Sequence, residues 1–147
     1  MLSKHNETTA HYIARYRKIY QTLQPTYCPA LKGVVHFNSR GFNHLIYKNG
    51  HRRSLAVIKN RLPLIKLAST VIKNCPQITR VTILNETYRG KTVIANYFAL
   101  IHLINQEPPI QVKVIVKRRG NLGQLFFLSI MKQKTPKKGA NCRKIAS

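Results

Sequence analysis

The pattern of apolar residues changes at about residue 78, and this change constrains the fold more than any other feature of the sequence. From there on, apolar residues form short runs rich in β-branched and aromatic side chains, or alternate with polar residues, as they do in strands. Gly, Pro and Asn residues separate these runs. Four strand segments follow one another: 78–84, 92–104, 110–117 and 124–131. The pattern predicts four strands joined in order as an antiparallel meander.

Before this point the apolar residues recur at helical spacing. A tyrosine-rich stripe in residues 8–24 predicts an amphipathic helix whose stripe packs in the core. A short helix is predicted to begin near Ser39 and to end with Gly50 at its left-handed C-cap. Ser54 caps a longer apolar segment in which Pro63 predicts a kink or two successive helices. The predicted fold class is α+β, with N-terminal helices packed on a four-stranded antiparallel meander.

The predicted domain organisation is one α+β domain over residues 1–131, followed by a flexible basic tail over residues 132–147. A chain of 147 residues can bury a core, and its 44% hydrophobic content excludes general disorder. The tail is rich in lysine and arginine and poor in apolar residues. No apolar run reaches the roughly 18 residues of a membrane span, and no signal-peptide core is present, so we expect a cytoplasmic protein. Delivery into a target cell by dedicated secretion would need no such signal.

The charge balance points to a polyanionic partner. The chain has 26 lysines and arginines against three acidic residues, a formal net charge of +23. Cations without internal partners repel one another, and a bound polyanion relieves that repulsion. Nucleic acid, RNA above all, is the first expected partner. An anionic membrane surface is the second, but the lack of a spanning segment leads us to expect no membrane association.

Groups that bind metal ions are sparse. The carboxylates and cysteines are few and scattered along the chain: Glu7, Glu86, Glu107, Cys28, Cys75 and Cys142. Nucleases that depend on magnesium bind it through clustered carboxylates, and structural zinc sites need closely spaced cysteines or histidines. We therefore expect the protein to bind neither a metal nor a cofactor. The cysteines are expected to be reduced, two of them packed in the core. If the protein is a nuclease, we expect it to be metal-independent.

Residues 36–53 concentrate histidine and arginine, with three of the six histidines and no carboxylate. On a helix that begins near Ser39, Arg40 and His44 are four residues apart and share one face. Phe42 and its apolar neighbours occupy another face, where a core can hold them. Histidine can accept or donate a proton near pH 7. This segment therefore predicts a cationic helix face suited to chemistry on phosphate.

Such residues are sufficient to cut RNA without metal. A base removes the 2′-hydroxyl proton, the oxygen attacks the adjacent phosphate, an acid protonates the departing 5′-oxygen, and cations stabilise the additional negative charge. The candidate catalytic residues are His36, Arg40, His44, Arg52 and, on the last strand, Ser129. The candidate nucleic-acid-binding residues are Arg53, Lys113, Lys117, Arg118, Arg119, Lys137 and Lys138.

Each candidate also has a purely structural interpretation. His36 lies between apolar residues and is compatible with a half-buried structural histidine, while His44 is compatible with a solvated helix position. Arg52 and Arg53 are compatible with simple phosphate contacts, and Ser129 with a hydrogen bond to a backbone carbonyl. The spacing of these residues by itself does not choose between the interpretations.

The element order, the histidines and arginines ahead of the sheet and the serine in the last strand resemble the barnase–EndoU–colicin–RelE superfamily of metal-independent RNases, in its phage and polymorphic-toxin branches. The resemblance covers roughly residues 34–131. It implies an endoribonuclease that cuts tRNA, mRNA or rRNA, often a toxin neutralised by an acidic immunity protein or antitoxin. It also implies that His36, His44 and Arg52/Arg53 face the scissile phosphate, supported by Ser129. One departure is that most candidate groups precede the sheet.

Two other classes of function fit the same residues. The first is a nucleic-acid-binding protein without catalysis, in which residues 36–53 and the tail contact phosphate. In one version of it, the helix at 39–48, the glycine turn and the helix at 54–62 form a helix-turn-helix. The second is a structural protein that coats an acidic partner. Loss of activity on replacing His36 or His44 distinguishes an RNase from both, because arginines rather than neutral histidines carry salt-dependent binding.

Overall fold

The computed structural model describes residues 7–121 and 123–134. Within them, helices and short strands come first and four longer strands follow. The helices are α1 (Thr9–Gln21), α2 (Ser39–Ile46), α3 (Leu55–Arg61), a 3₁₀ helix (Leu62–Leu67) and α4 (Ala68–Asn74). The strands are β1 (Thr26–Cys28), β2 (Gly33–His36), β3 (Tyr47–Lys48), β4 (His51–Arg52), β5 (Arg80–Tyr88), β6 (Lys91–Ile104), β7 (Ile110–Arg119) and β8 (Leu125–Gln133). The class is α+β, as predicted.

The main sheet has six strands in the order β1-β2-β8-β7-β6-β5. The four predicted strands pair antiparallel in chain order, from β5 to β8. The predicted four-stranded antiparallel meander is part of a larger mixed sheet, because β1 and β2 extend it and β2 runs parallel to β8. Strands as short as β1 and β2 are stabilised by their sheet neighbours, and local sequence carries little signal for them.

Polar side chains cap the starts of three helices. Thr8, Asn38 and Ser54 each accept hydrogen bonds from backbone N–H groups in the first turn of α1, α2 and α3. Pro63 lies in the 3₁₀ helix, which separates α3 from α4. The expectation of a kink or successive helices at Pro63 is confirmed. Helix α1 packs on the 3₁₀ helix, α2 and α3 pack on β8, and α4 packs on β1, β6 and β7.

Asn49 and Gly50 form a hairpin turn rather than a helix cap. Helix α2 ends at Ile46, and both turn residues have positive φ, 53° and 79°, between the paired strands β3 and β4. Asn-Gly suits such two-residue turns, since both residues tolerate positive φ. The Arg53 N–H donates to the Ile46 carbonyl and holds this hairpin against α2. A hairpin between α2 and α3 replaces the short turn of a helix-turn-helix, so that version of the binding hypothesis is wrong.

Aromatic residues from separate elements meet in the core. Tyr20 of α1 contacts Phe37, Phe42 and Phe127, with ring centres 5.3–5.9 Å apart. Ile13, Tyr16 and Tyr20 are buried, so the predicted packing of the α1 stripe is confirmed. The buried residues of β6, β7 and β8 join the same core, including Leu100, Val114 and Ile130. Cys28 and Cys75 are free thiols and both are buried.

The last two strands are longer than the sequence predicts. Strand β7 continues through Arg119, two residues beyond the predicted segment 110–117, and β8 continues through Gln133 into the predicted tail. Most of the predicted tail, with Lys137 and Lys138, lies outside the described residues. None of the helices in the described part of the chain is long and apolar enough to cross a membrane.

Candidate functional site

An open cleft of about 350 Å³ lies between α2, the β3–β4 hairpin and the strands β7 and β8. We call it the His44 cleft. Its lining consists of four basic or titratable residues, two asparagines, a glycine, two aromatic residues and one leucine: Arg40, His44, Lys117, Arg119, Asn43, Asn49, Gly50, Tyr47, Phe126 and Leu128. No carboxylate is among these lining residues, so the charge of the cleft favours an anion over a cation.

Local structure fixes the part of the cleft formed by α2. The Asn38 side chain accepts hydrogen bonds from the N–H groups of Arg40 and Gly41 and so starts the helix. Gly41 is buried, and a Cβ there would overlap the carbonyl oxygen of Phe127 and lie 2.7 Å from the Tyr20 hydroxyl. The glycine therefore lets α2 lie directly on β8. Arg40 and His44, one turn apart, both face the cleft, as their spacing predicts.

His44 is held by Arg53. The Arg53 Nε donates to the His44 carbonyl at 2.9 Å, and Nη2 lies 3.4 Å from His44 Nε2. An arginine can only donate, so this contact requires Nε2 as the unprotonated acceptor. Burial, followed by the charges of Arg53, Arg61, Lys117 and Lys48, lowers the pKa of His44 to about 4. In the free protein His44 is therefore neutral at pH 7.

Arg61 of α3 and Ser129 of β8 form a second pair behind the cleft. Ser129 is only 2% exposed, and its hydroxyl accepts a hydrogen bond of 3.2 Å from Arg61 Nη1. Burial, and then the charge of Arg53, lowers the pKa of Arg61 from its ordinary value. No carboxylate bonds Arg61 in the described residues. Ser129 therefore supports a cation near His44 and does not itself line the cleft.

Glu86 of β5 organises the cations on β7. Its carboxylate accepts hydrogen bonds from Lys117 at 3.0 Å, Arg119 at 2.9 Å and the Tyr97 hydroxyl at 3.0 Å. Burial by itself raises the pKa of Glu86, but the hydrogen bonds from Lys117, Arg119 and Tyr97 outweigh it and hold that pKa below its usual value. Lys117 is only 8% exposed, so its position is fixed by this ion pair. Glu86 thus sets the geometry of two cations that line the His44 cleft.

A second cavity of about 410 Å³ adjoins the cleft, and we call it the Tyr88 cavity. It shares three lining residues with the His44 cleft and adds four of its own: Arg40, Arg119 and Phe126, then Asn38, Tyr88, Gly123 and Gln124. The guanidinium carbons of Arg119 and Arg40 lie 4.1 and 5.4 Å from the centre of the Tyr88 ring. The charge of Arg89, above all, and then Arg40 and Arg119 lower the pKa of Tyr88.

The structure brings only some of the predicted site residues together. Arg40, His44, Lys117 and Arg119 line the cleft, with Arg53 and, through Arg61, Ser129 behind them. The other described candidates do not line either cavity: His36, Arg52, Lys113 and Arg118.

Position in the sheet and exposure explain these four placements. His36 ends β2 beside Phe126, and Arg52 is exposed on β4. Lys113 lies further along β7, opposite Met131. Arg118 has the opposite orientation to Lys117 and Arg119, with its guanidinium carbon 5.4 Å from the centre of the Phe98 ring.

Sequence reasoning missed the residues supplied by β5 and β6. Glu86 and Tyr88 are two apart and share one face of β5, which is the one local signal for them. Their partners Lys117 and Arg119 come from β7, which is two strands away because β6 lies between. On β6, the fully buried Ala95 pairs with Leu84 of β5 on one side and with Arg119 of β7 on the other. The small Ala95 side chain leaves room for Glu86 and Arg119 to meet across it. Only the strand register reveals this cluster.

Comparison with protein-family models, with curated proteins and with solved structures finds no match for this chain. Within residues 7–121 and 123–134, no group of three His, Cys, Asp or Glu side chains is placed to hold a metal ion. The interpretation of the site therefore rests on its own geometry.

Proposed function

We propose that the protein is a metal-independent endoribonuclease that binds the RNA backbone in the His44 cleft. The observation that carries this proposal is a neutral histidine, His44, in one cleft with Arg40, Lys117 and Arg119. A neutral histidine can accept a proton, and fixed cations can hold a phosphate beside it. Membership in the superfamily that the sequence resembles is part of the same proposal.

A bound phosphate changes His44 in the direction that catalysis needs. The surrounding cations contribute to the low pKa of His44, and a phosphate between Arg40, Lys117 and Arg119 offsets their charge. The pKa then rises toward its ordinary value, so His44 becomes a stronger base when RNA is present.

The proposed reaction follows from that arrangement. His44 accepts the 2′-hydroxyl proton, the 2′-oxygen bonds to phosphorus, and the phosphorus–5′-oxygen bond breaks. The 5′-oxygen takes a proton from water, and the hydroxide that forms takes back the proton held by His44. The products are a 2′,3′-cyclic phosphate and a 5′-hydroxyl, with His44 neutral again. The cations stabilise the charge that builds up on the phosphate oxygens.

Nucleic-acid binding without cleavage is the second candidate function. The observation in its favour is the contact between Arg53 Nη2 and His44 Nε2, which occupies the lone pair that a general base needs. In that case His44 positions Arg53, and the cations of the cleft contact phosphate only.

Incubation of the purified protein with total tRNA and rRNA in excess EDTA tests the proposal. We expect discrete fragments with 2′,3′-cyclic phosphate ends from the wild type, and a loss of about 10²-fold or more in rate for His44→Ala. His11→Ala is the matched control, since His11 is exposed on α1 and outside the cleft. It is expected to cut at the wild-type rate.

Intact RNA that both wild type and His44→Ala shift equally on a gel would favour binding without cleavage. Equal cutting by wild type and His44→Ala would remove His44 from the reaction. A single-stranded DNA of matching sequence should stay intact, because it lacks the 2′-hydroxyl nucleophile.

The expected partner belongs to this proposal as well. An acidic immunity protein or antitoxin would meet a chain of net charge +23 with complementary charge, and electrostatic steering would speed their association. Such a protein would inhibit cleavage by covering the His44 cleft.

A further inference from the structure

The Tyr88 cavity has the shape and composition of a site for a flat, polar ring. The guanidinium groups of Arg40 and Arg119 lie against the Tyr88 ring, and this cationic–aromatic cluster forms one wall of the cavity while Phe126 forms another. At about 410 Å³ the cavity is large enough for a nucleobase. It shares Arg40 and Arg119 with the His44 cleft, so a base here would be attached to a phosphate there.

The polar groups of this cavity are mainly hydrogen-bond donors. Two acceptors that contact its lining residues are already used: the Asn38 side-chain oxygen accepts from the N–H groups of Arg40 and Gly41, and Glu86 accepts from Arg119 and Lys117. The guanidinium groups and the amide of Asn38 remain as donors, and the Tyr88 hydroxyl can donate or accept. Gln124 contributes a further amide, with one donor and one acceptor end.

We propose that the Tyr88 cavity binds one nucleobase of single-stranded RNA and selects guanine and uracil, which carry a keto group at C6 or C4, over adenine and cytosine, which carry an amino group there. Guanine and uracil present a carbonyl oxygen where adenine and cytosine present an amino group. A donor-rich cavity pairs with the carbonyl and leaves the amino group unpaired, which is costly. The inference rests on the proposed function, because it places the base beside a phosphate in the His44 cleft.

Close packing of Gly123 brings Gln124 to the cavity. Gly123 packs on the backbone of Arg119 so closely that a Cβ would overlap the Arg119 carbonyl oxygen. Gln124 follows directly and lines the cavity. Gly123 is thus held against the strand that carries Arg119, and this contact places the next residue, Gln124, at the cavity.

The test measures binding with no cleavage step. Four labelled, fully 2′-O-methylated RNA heptamers, adenine throughout except for a central G, U, C or A, are titrated with wild-type protein by fluorescence anisotropy. These strands lack the 2′-hydroxyl nucleophile and stay intact. We expect the G and U heptamers to bind about tenfold more tightly than the A and C heptamers.

Variants separate stacking from selection. Tyr88→Leu keeps the bulk but removes the ring, and it should lower the affinity for all four heptamers by about tenfold, whereas Tyr88→Phe should not. Gln124→Ala should reduce the preference for G or U while leaving the affinity for A and C unchanged. Gln77→Ala, an exposed glutamine outside the cavity, is the matched control and should behave as wild type. Circular dichroism verifies that each variant is folded.

Equal affinity for the four heptamers, tighter binding of A or C, or an unchanged affinity in Tyr88→Leu would overturn the inference. These results are independent of the RNase proposal. A protein that cuts RNA in EDTA but binds the four heptamers equally would keep the RNase function and lose the base site. A protein that prefers G or U but leaves RNA intact would keep the base site and lose the RNase function.

Discussion

His44 shows how far the surroundings of one residue alter its chemistry. The sequence suggests a histidine that exchanges protons near pH 7, but burial and four neighbouring cations lower its pKa to about 4. A neutral histidine fits between Arg53 and Lys117, whereas a protonated one would add a further charge to an already cationic cleft. In the free protein the His44 cleft therefore favours binding of an anion over protonation of His44.

We expect His44 to titrate near pH 4 in the free protein and Arg53→Gln to raise its pKa toward its ordinary value. The reason is that Arg53 is the charge with the largest effect on His44 after burial. NMR of the imidazole protons across pH 3–8 measures both values, and the peak missing from His44→Gln assigns the residue. A His44 signal that titrates near pH 6.5 in the wild type would contradict the expectation.

The same shift predicts the direction of a pH effect on stability. Because the pKa of His44 is lower in the folded state than in the unfolded state, the unfolded chain binds more protons between pH 6.5 and about 4. Stability should therefore fall as the pH falls through this window. Urea unfolding at pH 7 and pH 4.5 should show a smaller decrease for His44→Gln than for the wild type.

Gly41 reverses the usual preference for alanine in helices. At an ordinary helix position, Gly→Ala stabilises by about 1 kcal/mol. Here the added methyl would overlap the Phe127 backbone and crowd its ring at 2.8 Å, so Gly41→Ala should destabilise by about 2 kcal/mol. Urea unfolding measures this change. Asn43→Ala, exposed on the same helix, is the control and should not destabilise; an equally stable Gly41→Ala would refute close packing of α2 on β8.

At the scale of elements, β5 is an exposed edge of the sheet. It pairs with β6 on one side, and no strand of the described chain covers its other side. Its exposed apolar side chains include Val81, Ile83 and Leu84, with Ile83 62% exposed. An apolar edge with free backbone groups is a template for pairing with another chain. The net charge of +23 opposes such pairing between copies.

High salt should therefore allow copies of the protein to associate through the exposed edge of β5. In about 1 M salt the Debye length falls to about 3 Å and the repulsion between copies is screened. We expect the wild type to self-associate under these conditions and Ile83→Lys to remain monomeric, as measured by sedimentation velocity. Leu55→Lys, an exposed leucine of α3 without a free strand edge, is the control and should associate like the wild type. Association of Ile83→Lys equal to that of the wild type would exclude this edge.

At the scale of the whole molecule, the excess charge determines how strongly salt weakens nucleic-acid binding. Each phosphate contact releases counterions, so the slope of log affinity against log salt grows by about 0.7 per contact with a single strand. Arg40→Gln should reduce the slope by about 0.7, because Arg40 lines both cavities. Lys73→Gln removes an exposed charge from α4 and should leave the slope nearly unchanged. Equal slopes for Arg40→Gln and the wild type would show that Arg40 touches no phosphate.

The sequence by itself determined the features that depend on neighbours along the chain. These are the α+β class, the β5–β8 meander, the shared face of Arg40 and His44, and the break at Pro63. Each follows from local periodicity or from the backbone geometry of a single residue, so a short window of sequence contains the information.

Only the tertiary structure decided the features that depend on pairing between distant segments. The parallel contact of β2 with β8 extends the sheet to six strands. The register of β5, β6 and β7 brings Glu86 to Lys117 and Arg119, and the packing of α2 on β8 buries His44 among cations. Strand register and burial are set by the balance of contacts over the whole chain, and a pKa follows the resulting surroundings. The positive charge of the cleft therefore follows from the composition, whereas the positions of its residues are set only by the tertiary structure.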